Sequence, residues 1–453
     1  MKYELKSILK NKVFIFMLIL SIGLSLYNAY YMDQAINESD NEPYLYYLNL
    51  YQGGLSQEKI FRQTIDSHDK IQNNWLDAEL WQSELYRDFG NYYKYRNLTS
   101  DERLEKRALM ALFSFEKNAT PSYKDFASDQ YKEEIEKYMD LSSYDFDFSL
   151  IKDYASSYRP TIIDYNNAIV EEERMVLERY FYLKENNLSE VDSETNSPWT
   201  YLYYSYSKHD ITMFFLMNVL PIFIVYILAD FRSKKTLELN QLRPISKMKV
   251  FNHYLSIMLF ISFIIIFLPN MLMVIFQGIR YGFDGLKNPI LVYKDGFKSF
   301  STYKNLGYDL DVYGNNTLGL SKLKAVYLNP DTNIPFPSFE LENIEFYKFI
   351  FYAFIIELFK FNFLVFLGTS IGLNIKNKNF SIMIISILVG MSILFSYLPQ
   401  TKNIFNPLSM NTGWEITLGG TGTSWLKSLV YLLLFTVILV IVSVSFYKKT
   451  DEK

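Results

Sequence analysis

The sequence predicts an all-α polytopic membrane protein with six transmembrane helices and both termini in the cytoplasm. Two observations carry this fold class: six apolar stretches of roughly 19–27 residues, and the placement of lysine and arginine between them. At about 1.5 Å per residue, each stretch crosses a hydrocarbon core of about 30 Å as a helix. Helices are expected because lipid offers no hydrogen-bond partners to the backbone. The predicted spans are Val13–Tyr31, Ile211–Ala229, Val250–Phe276, Phe349–Leu373, Phe380–Leu398 and Trp425–Tyr447.

Basic residues determine the predicted orientation. They collect before the first span, between the second and third, between the fourth and fifth, and after the sixth. With a cytoplasmic amino terminus, all these clusters lie on the same side, as the positive-inside bias requires. The first span is expected to be an uncleaved signal anchor, because its apolar run is long and tyrosines follow it. The clustered residues are Lys2, Lys6, Lys10, Lys12, Arg232, Lys234, Lys235, Arg243, Lys247, Lys249, Lys376, Lys378, Lys448, Lys449 and Lys453.

This topology divides the chain into five parts, two of them extracellular. The larger extracellular part is expected to be mostly helical, and the smaller one to consist mainly of loops. The parts are 1–31 (amino terminus and first span), 32–208 (extracellular), 209–277 (second and third spans with the cytoplasmic connection 230–249), 278–345 (extracellular), and 346–453 (last three spans with the outer segment 399–424).

The large outer region has the length of a domain and a helical pattern. Apolar periodicity predicts one helix opened by Ser56, a second after Ser100, and a third from about Thr161 to Glu185. Between Asp33 and Lys208 there are 33 acidic and 19 basic residues, a net charge of −14 against −4 for the whole chain. We interpret this acidic bias as a solvated surface.

Aromatic residues concentrate where the large outer region meets the membrane. They fit an interfacial belt, since tyrosine tolerates both lipid and water. The alternative is a vestibule for an amphipathic or cationic substrate. In residues 278–345, abundant glycine and proline predict loops and short strands that pack against the first outer region. The aromatic residues are Tyr44, Tyr46, Tyr47, Tyr51, Trp199, Tyr201, Tyr203, Tyr204 and Tyr206.

The chain lacks the sequence motifs of several enzyme classes. No G-x-x-x-x-G-K-[ST] loop is present, and the glycine cluster that ends at Ser424 lacks the lysine. His68, His209 and His253 do not form an H-E-x-x-H zinc motif, and no G-x-S-x-G elbow occurs. Cysteine is absent, so there is no disulfide or thiolate metal site. We therefore predict a non-enzymatic chain with no cofactor or metal of its own and no nucleic-acid partner.

Glu357 and Lys360 lie within the fourth apolar stretch, three residues apart on one helical face. Ionisable groups inside a membrane are costly and by default indicate function, here a translocation path. The alternative is a self-neutralising pair at i, i+3, with the lysine stem extending to the membrane surface if the span begins later in the chain.

The connection between the second and third spans predicts a short amphipathic helix followed by a proline break, which together form a compact basic knob. It could equally be an ordinary positive-inside loop. The pattern formed by Thr236, Leu237, Leu242, Pro244, Ile245, Ser246 and Lys247 resembles the coupling region of type-2 ATP-binding-cassette (ABC) exporter permeases. Lys247 stands in place of an arginine, Lys235 in place of a glycine and Asp230 in place of a glutamate. The segment that we assign to ATPase coupling is Thr236, Leu237, Leu242, Arg243, Pro244, Ile245, Ser246 and Lys247.

The resemblance implies a permease subunit that pairs with a second copy or a paralogue. Two cytoplasmic ATPase subunits would bind ATP and push on the coupling segment. It also implies short re-entrant helices in Pro399–Ser424. A hydrophobic peptide or lipid-like substrate would be exported across a bacterial plasma membrane, of Gram-positive type given the large outer region.

Two alternatives remain open at the level of sequence. One is an ABC-powered device for antimicrobial-peptide sensing or resistance that acts at the outer surface without net transport. The other is a stand-alone membrane anchor or receptor.

Overall fold

The computed structural model describes residues 2–118, 128–151, 163–206, 211–234, 246–293, 308–311, 316–318, 320–325, 341–397, 413–418 and 424–449, and these are mostly helical. The helices are α1 (Lys2–Leu9), α2 (Lys12–Asn37), α3 (Asn41–Arg62), α4 (Lys70–Tyr95), α5 (Ser100–Asn118), α6 (Ser128–Glu136), α7 (Ile163–Glu185), α8 (Pro198–Ser205), α9 (Ile211–Ser233), α10 (Lys247–Ile266), α11 (Leu268–Tyr281), α12 (Phe346–Asn374), α13 (Lys378–Tyr397), α14 (Gly413–Leu418) and α15 (Trp425–Lys449).

Five helical stretches within the described residues are long and apolar enough to cross a membrane. Each of them overlaps one of the six predicted spans. The predicted span Phe380–Leu398 falls in α13, where the apolar stretch Lys378–Met391 is shorter. The five stretches are Lys12–Arg62, Phe215–Ser233, Met248–Tyr281, Phe346–Asn374 and Trp425–Phe446.

The predicted third span is interrupted by a proline. Helix α10 ends at Ile266, and α11 begins at Leu268 with Pro269 in its first turn. Proline has no backbone N–H, so the carbonyl of Ile265, four residues earlier, loses its helical donor. The hydroxyl of Ser21 on α2 donates to that carbonyl at 2.6 Å. A polar side chain of a neighbouring helix therefore satisfies the break, as apolar surroundings require.

Helices α9 and α12 cross at close range in the apolar bundle. A Cβ added at Gly368 would lie 3.0 Å from backbone atoms of Pro221, and one at Gly372 would lie 2.7 Å from the Leu228 side chain. Two glycines one turn apart on α12 thus let its backbone approach α9 without an intervening side chain. Such small-residue contacts are the usual way in which apolar helices pack closely.

The ends of the apolar helices that carry the lysine clusters contact one another. Asn11, before α2, donates to Asp230 near the end of α9 at 3.2 Å, and Arg232 donates to carbonyls at the end of α12. Near the opposite end, Asp33 of α2 pairs with Arg280 of α11 at 2.6 Å. The start of α2 and the ends of α9 and α12, all flanked by basic residues, therefore lie at one end of the bundle.

The large outer region is helical, although its first predicted helix start is wrong. Ser56 lies inside α3, where its hydroxyl donates to the Gln52 carbonyl, and the next helix begins after Asp69, whose carboxylate accepts from two backbone N–H groups of α4. Helix α3 has no fully buried residue, so apolar periodicity could not mark its limits. Helix α5 begins where predicted. Helix α7 covers the third predicted helix from Ile163 onwards.

The core of the large outer region is aromatic. Trp81 of α4 packs its ring against Phe113 of α5 at 6.0 Å and against Phe146 and Phe148 at 5.1 and 5.7 Å. Tyr180 of α7 is fully buried in the same cluster. Edge-on and tilted ring contacts of this kind add to the free energy gained from apolar burial.

Short strands in the second outer region are the exception to the all-α class and agree with the glycine- and proline-rich sequence there. One antiparallel pair joins β1 to β5, with Pro289 opposite Glu345 and Tyr293 opposite Leu341. A three-stranded sheet has the order β2-β4-β3 and is antiparallel throughout. The strands are β1 (Pro289–Tyr293), β2 (Tyr308–Asp311), β3 (Asn316–Leu318), β4 (Ser321–Ala325) and β5 (Leu341–Glu345).

We expect the fragment Asp33–Lys208 to fold as a helical domain when it is produced alone, because its aromatic core lies within that range. The measurement is far-ultraviolet circular dichroism of the purified fragment. A spectrum dominated by strand or random coil would contradict this expectation.

Candidate functional site

Glu357 and Lys360 are buried inside the protein, midway along α12. Their residue exposures are 3% and 2%. The Glu357 carboxylate accepts a hydrogen bond from the backbone N–H of Gly413 at 2.5 Å, and the charge of Lys360 acts on it. The Lys360 stem therefore does not extend to the protein surface, while its charge beside Glu357 is compatible with a self-neutralising pair. Burial of two ionisable groups is costly unless each interacts with a compensating group.

The partner of Glu357 belongs to the short helix α14, which packs against α12. Trp414 stacks on Tyr206 with ring centroids 4.9 Å apart and meets Phe349 edge-on at 5.3 Å. Further along α14, Ile416 joins a small apolar cluster with residues of α12 and α15. Helix α14 is thus held in place by one hydrogen bond to a charged group and by apolar contacts on both sides.

Polar groups converge at this contact. Burial, followed by the nearby Glu357 carboxylate, raises the pKa of the Tyr206 phenol well above its ordinary value, so the phenol is neutral. The indole N–H of Trp414 is buried and has no hydrogen-bond partner among the described residues. A carboxylate, an ammonium, a phenol and an indole N–H therefore lie in one region of an apolar bundle. They can hold a polar group there by hydrogen bonds or charge.

The aromatic residues before α9 do not form the expected belt. Trp199, Tyr201, Tyr203 and Tyr206 are all buried in protein. The Trp199 indole donates to the Asp284 carbonyl at 2.7 Å, and the Tyr201 hydroxyl donates to the Asn270 side chain at 2.7 Å. These residues are buried because α8 packs against α11 and the turn after it. The sequence pattern does not predict this contact between helices. Neither the belt nor an open vestibule describes these residues.

Most of the coupling segment lies outside the described residues, namely Thr236, Leu237, Leu242, Arg243, Pro244 and Ile245. Ser246 is exposed and precedes α10 in an extended conformation, and Lys247 is the first residue of that helix. The residues that enter the segment are anchored. Asp230 accepts from Asn11 at 3.2 Å, and Arg232 donates to the carbonyls of Gly372 and Leu373 at 3.1 and 3.0 Å.

Three acidic residues of the loop between α7 and α8 form a group that sequence reasoning missed. We call Glu190, Asp192 and Glu194 the acidic ladder. Arg179 of α7 donates to Glu190 at 2.7 Å, and Arg103 of α5 binds both carboxylate oxygens of Asp192, at 2.9 and 2.7 Å. These four side chains are less than 5% exposed. Part of the acidic bias is therefore internal and paired.

The acidic ladder joins the large outer region to elements that adjoin the long apolar helices. Arg96, after α4, donates to Glu194 at 3.4 Å and to the carbonyl of Glu38, where α2 gives way to α3, at 2.9 Å. Arg179 also donates to the Pro289 carbonyl at the start of β1. The chain runs from the ladder straight into α8 and α9. In the sequence, the acidic ladder is marked by acidic residues at every second position, a pattern that is also typical of an exposed loop.

No known protein family, curated protein or solved structure matches the chain. Among the described residues, no group of three or more histidine, aspartate or glutamate side chains is arranged to hold a metal ion.

Proposed function

We propose that this chain is the membrane-spanning permease subunit of an ABC exporter and depends on a separate cytoplasmic ATPase. The observation that carries the proposal is the basic, proline-broken coupling segment, together with the anchoring of the residues that lead into it. Asp230 contacts the start of α2, and Arg232 contacts the end of α12. A force on the segment would therefore reach several apolar helices at once.

The proposed topology has six spans with both termini in the cytoplasm. It is supported by the five long apolar stretches and by the helix ends that carry lysine, which meet at one end of the bundle. In this proposal, α13 is the sixth span, supported by its apolar stretch Lys378–Met391. The partners in this proposal are a second copy or a paralogue, the ATPase subunits and the surrounding lipid of a Gram-positive plasma membrane.

In the proposed mechanism, Glu357 and Lys360 line the translocation path, and α14 closes it. Support comes from the burial of both charges and from the contact between Glu357 and the first residue of α14. Rearrangement of α12 would break that contact and expose the polar groups to a passing substrate. The apolar surroundings favour a hydrophobic peptide or a lipid-like molecule, because such molecules are compatible with the lining.

A second candidate function is peptide sensing or resistance at the outer surface without net transport. The acidic ladder favours it, because buried ion pairs hold the loop that leads into α8 against α5 and α7 of the large outer region. Inverted vesicles that carry the ATPase partner on their outward-facing cytoplasmic side distinguish the two. Only an exporter accumulates an added hydrophobic peptide inside them when ATP is supplied.

Replacing Leu242 with aspartate should detach the ATPase. Leu237, Leu242 and Ile245 are apolar residues in a basic loop, and a groove on the ATPase is the surface expected to cover them. A charge buried there without a partner costs about 3 kcal/mol, or a loss of more than about a hundredfold in affinity. The measurement is the amount of ATPase that co-purifies from native membranes.

The control for this experiment is Ser233→Asp, which adds the same charge at an exposed position just before the segment. Both variants should be recovered from the membrane in normal yield. Retention of the ATPase by Leu242→Asp at the level of the control would remove the main support for the proposed function.

A further inference from the structure

We propose that Arg232 is a positioning residue that carries motion of the coupling segment to α12, and through α12 to Glu357. The inference rests on the proposed function. Its structural basis is the set of bonds that the Arg232 guanidinium donates to the carbonyls of Gly372, Leu373 and Ile375. Arg232 lies at the end of α9, four residues before Thr236 of the coupling segment.

The end of α12 is a place where an arginine acts as a clamp. The last carbonyls of a helix have no donor within the helix, and the partial negative charge of the helix dipole collects there. A guanidinium carries five donors and is always charged, so it can bind several such carbonyls together. Arg232 satisfies three of them from a different helix. The two helix ends must therefore move together or break these bonds together.

Because α9 packs closely on α12, a displacement at these hydrogen bonds is transmitted along α12. At Gly372, whose carbonyl Arg232 binds, and one turn earlier at Gly368, the α12 backbone lies against Leu228 and Pro221 of α9. Interiors that are closely packed transmit displacement and do not absorb it. Glu357 lies 15 residues before Gly372, about 22 Å along the helix. A shift of the α12 end would thus arrive at the contact between Glu357 and Gly413.

Asp230, two residues before Arg232, contacts a different helix. Asp230 accepts from Asn11 and from Lys234, which directly follows α9, at 3.2 and 2.7 Å. Asp230 and Arg232 thus contact different helices: Asp230 contacts the start of α2, and Arg232 contacts the end of α12. Loss of Arg232 should leave the contact to α2 in place.

The test follows motion at the far end of α12. Because the chain has no cysteine, single cysteines at Ile279 and Tyr347 carry spin labels without background. Both side chains are exposed, at the end of α11 and the start of α12. In the complex with its ATPase, MgATP should change the distance between the labels. In Arg232→Ala, the ATPase should still bind and hydrolyse ATP, while the coupling of ATP binding to this distance change falls about 5- to 150-fold.

Two further variants make the result decisive. Lys376→Ala removes an exposed cation at the same end of α12 and should behave as wild type. Arg232→Lys keeps the charge but cannot span three carbonyls, so it should be intermediate, and it decides the matter if Arg232→Ala does not fold. A normal distance change in the Arg232 variants would show that the residue only caps α12, and would overturn the inference alone. Absence of any ATPase from the wild-type complex would instead overturn the proposed function.

Discussion

Replacing Asp192 with asparagine should lower the free energy of unfolding of the large outer region by about 3–5 kcal/mol. Asparagine has nearly the same shape, so the change removes charge and little volume. In the wild type, both carboxylate oxygens of Asp192 accept from Arg103, at 2.9 and 2.7 Å. In the variant, the Arg103 guanidinium would remain buried without a carboxylate partner at this position. The measurement is chemical unfolding of the fragment Asp33–Lys208, followed by tryptophan fluorescence, since it contains both partners.

The matched control is Asp88→Asn in the same fragment. Asp88 pairs with Lys106 at 2.8 Å, but both side chains are about one third exposed. Water screens such a pair, so the expected loss is at most about 1 kcal/mol. Equal losses in the two variants would contradict the view that the acidic ladder is a buried structural element.

Acid should weaken the same pair. Burial, the largest influence, opposes ionisation of Asp192, but Arg103 and Arg107 together with hydrogen bonds outweigh it and hold its pKa below the ordinary value. A carboxyl whose pKa is lower in the folded state stabilises the fold above its unfolded pKa of about 3.9. That stabilisation is lost as the pH falls through the lower, folded pKa. Wild-type fragment should lose stability in that range, and Asp192→Asn should lose less.

The membrane half of the fold was predictable because its signal is local. An apolar run of about 20 residues specifies a helix by composition alone, since lipid leaves the backbone few alternatives. The interruption at Pro269 was not predicted as a structural break, although proline marks it. Its tolerance depends on Ser21, 244 residues away from the carbonyl it satisfies. The apolar pattern therefore predicted the position of the span but not its interruption between α10 and α11.

The acidic ladder could not be predicted because its partners are distant in sequence. Asp192 lies 89 residues from Arg103, and Glu194 lies 98 residues from Arg96. In isolation, acids at alternate positions between serines are typical of a solvated loop. Only Arg179, 11 residues from Glu190, is near in sequence. Glu357 and Lys360 were identifiable because charges are rare in apolar helices, whereas their contact with Gly413 depends on chain packing.

Replacing Gly413 with alanine should separate α14 from α12. The added Cβ would overlap the carbonyl oxygen of Ala353 and lie 3.0 Å from the Glu357 side chain. A backbone carbonyl inside a helix cannot move aside, so α14 must. It would lose its bond to Glu357 and the packing of Trp414, which contributes about 2–3 kcal/mol. A cysteine placed at the buried Thr417 should then react with a maleimide about 30- to 150-fold faster.

Two comparisons distinguish the steric effect from other causes. Gly390→Ala adds the same methyl group on α13, where nothing lies within 4 Å of it, and should leave Thr417→Cys unreactive. Glu357→Gln keeps an oxygen that can accept from Gly413, so α14 should stay docked while the charge opposite Lys360 disappears. If the proposed path is correct, Glu357→Gln loses ATP-driven accumulation of hydrophobic peptide at normal yield. An unreactive cysteine in the Gly413→Ala protein would mean that α14 does not depend on this contact, and α14 could then not serve as the closure of a path through Glu357.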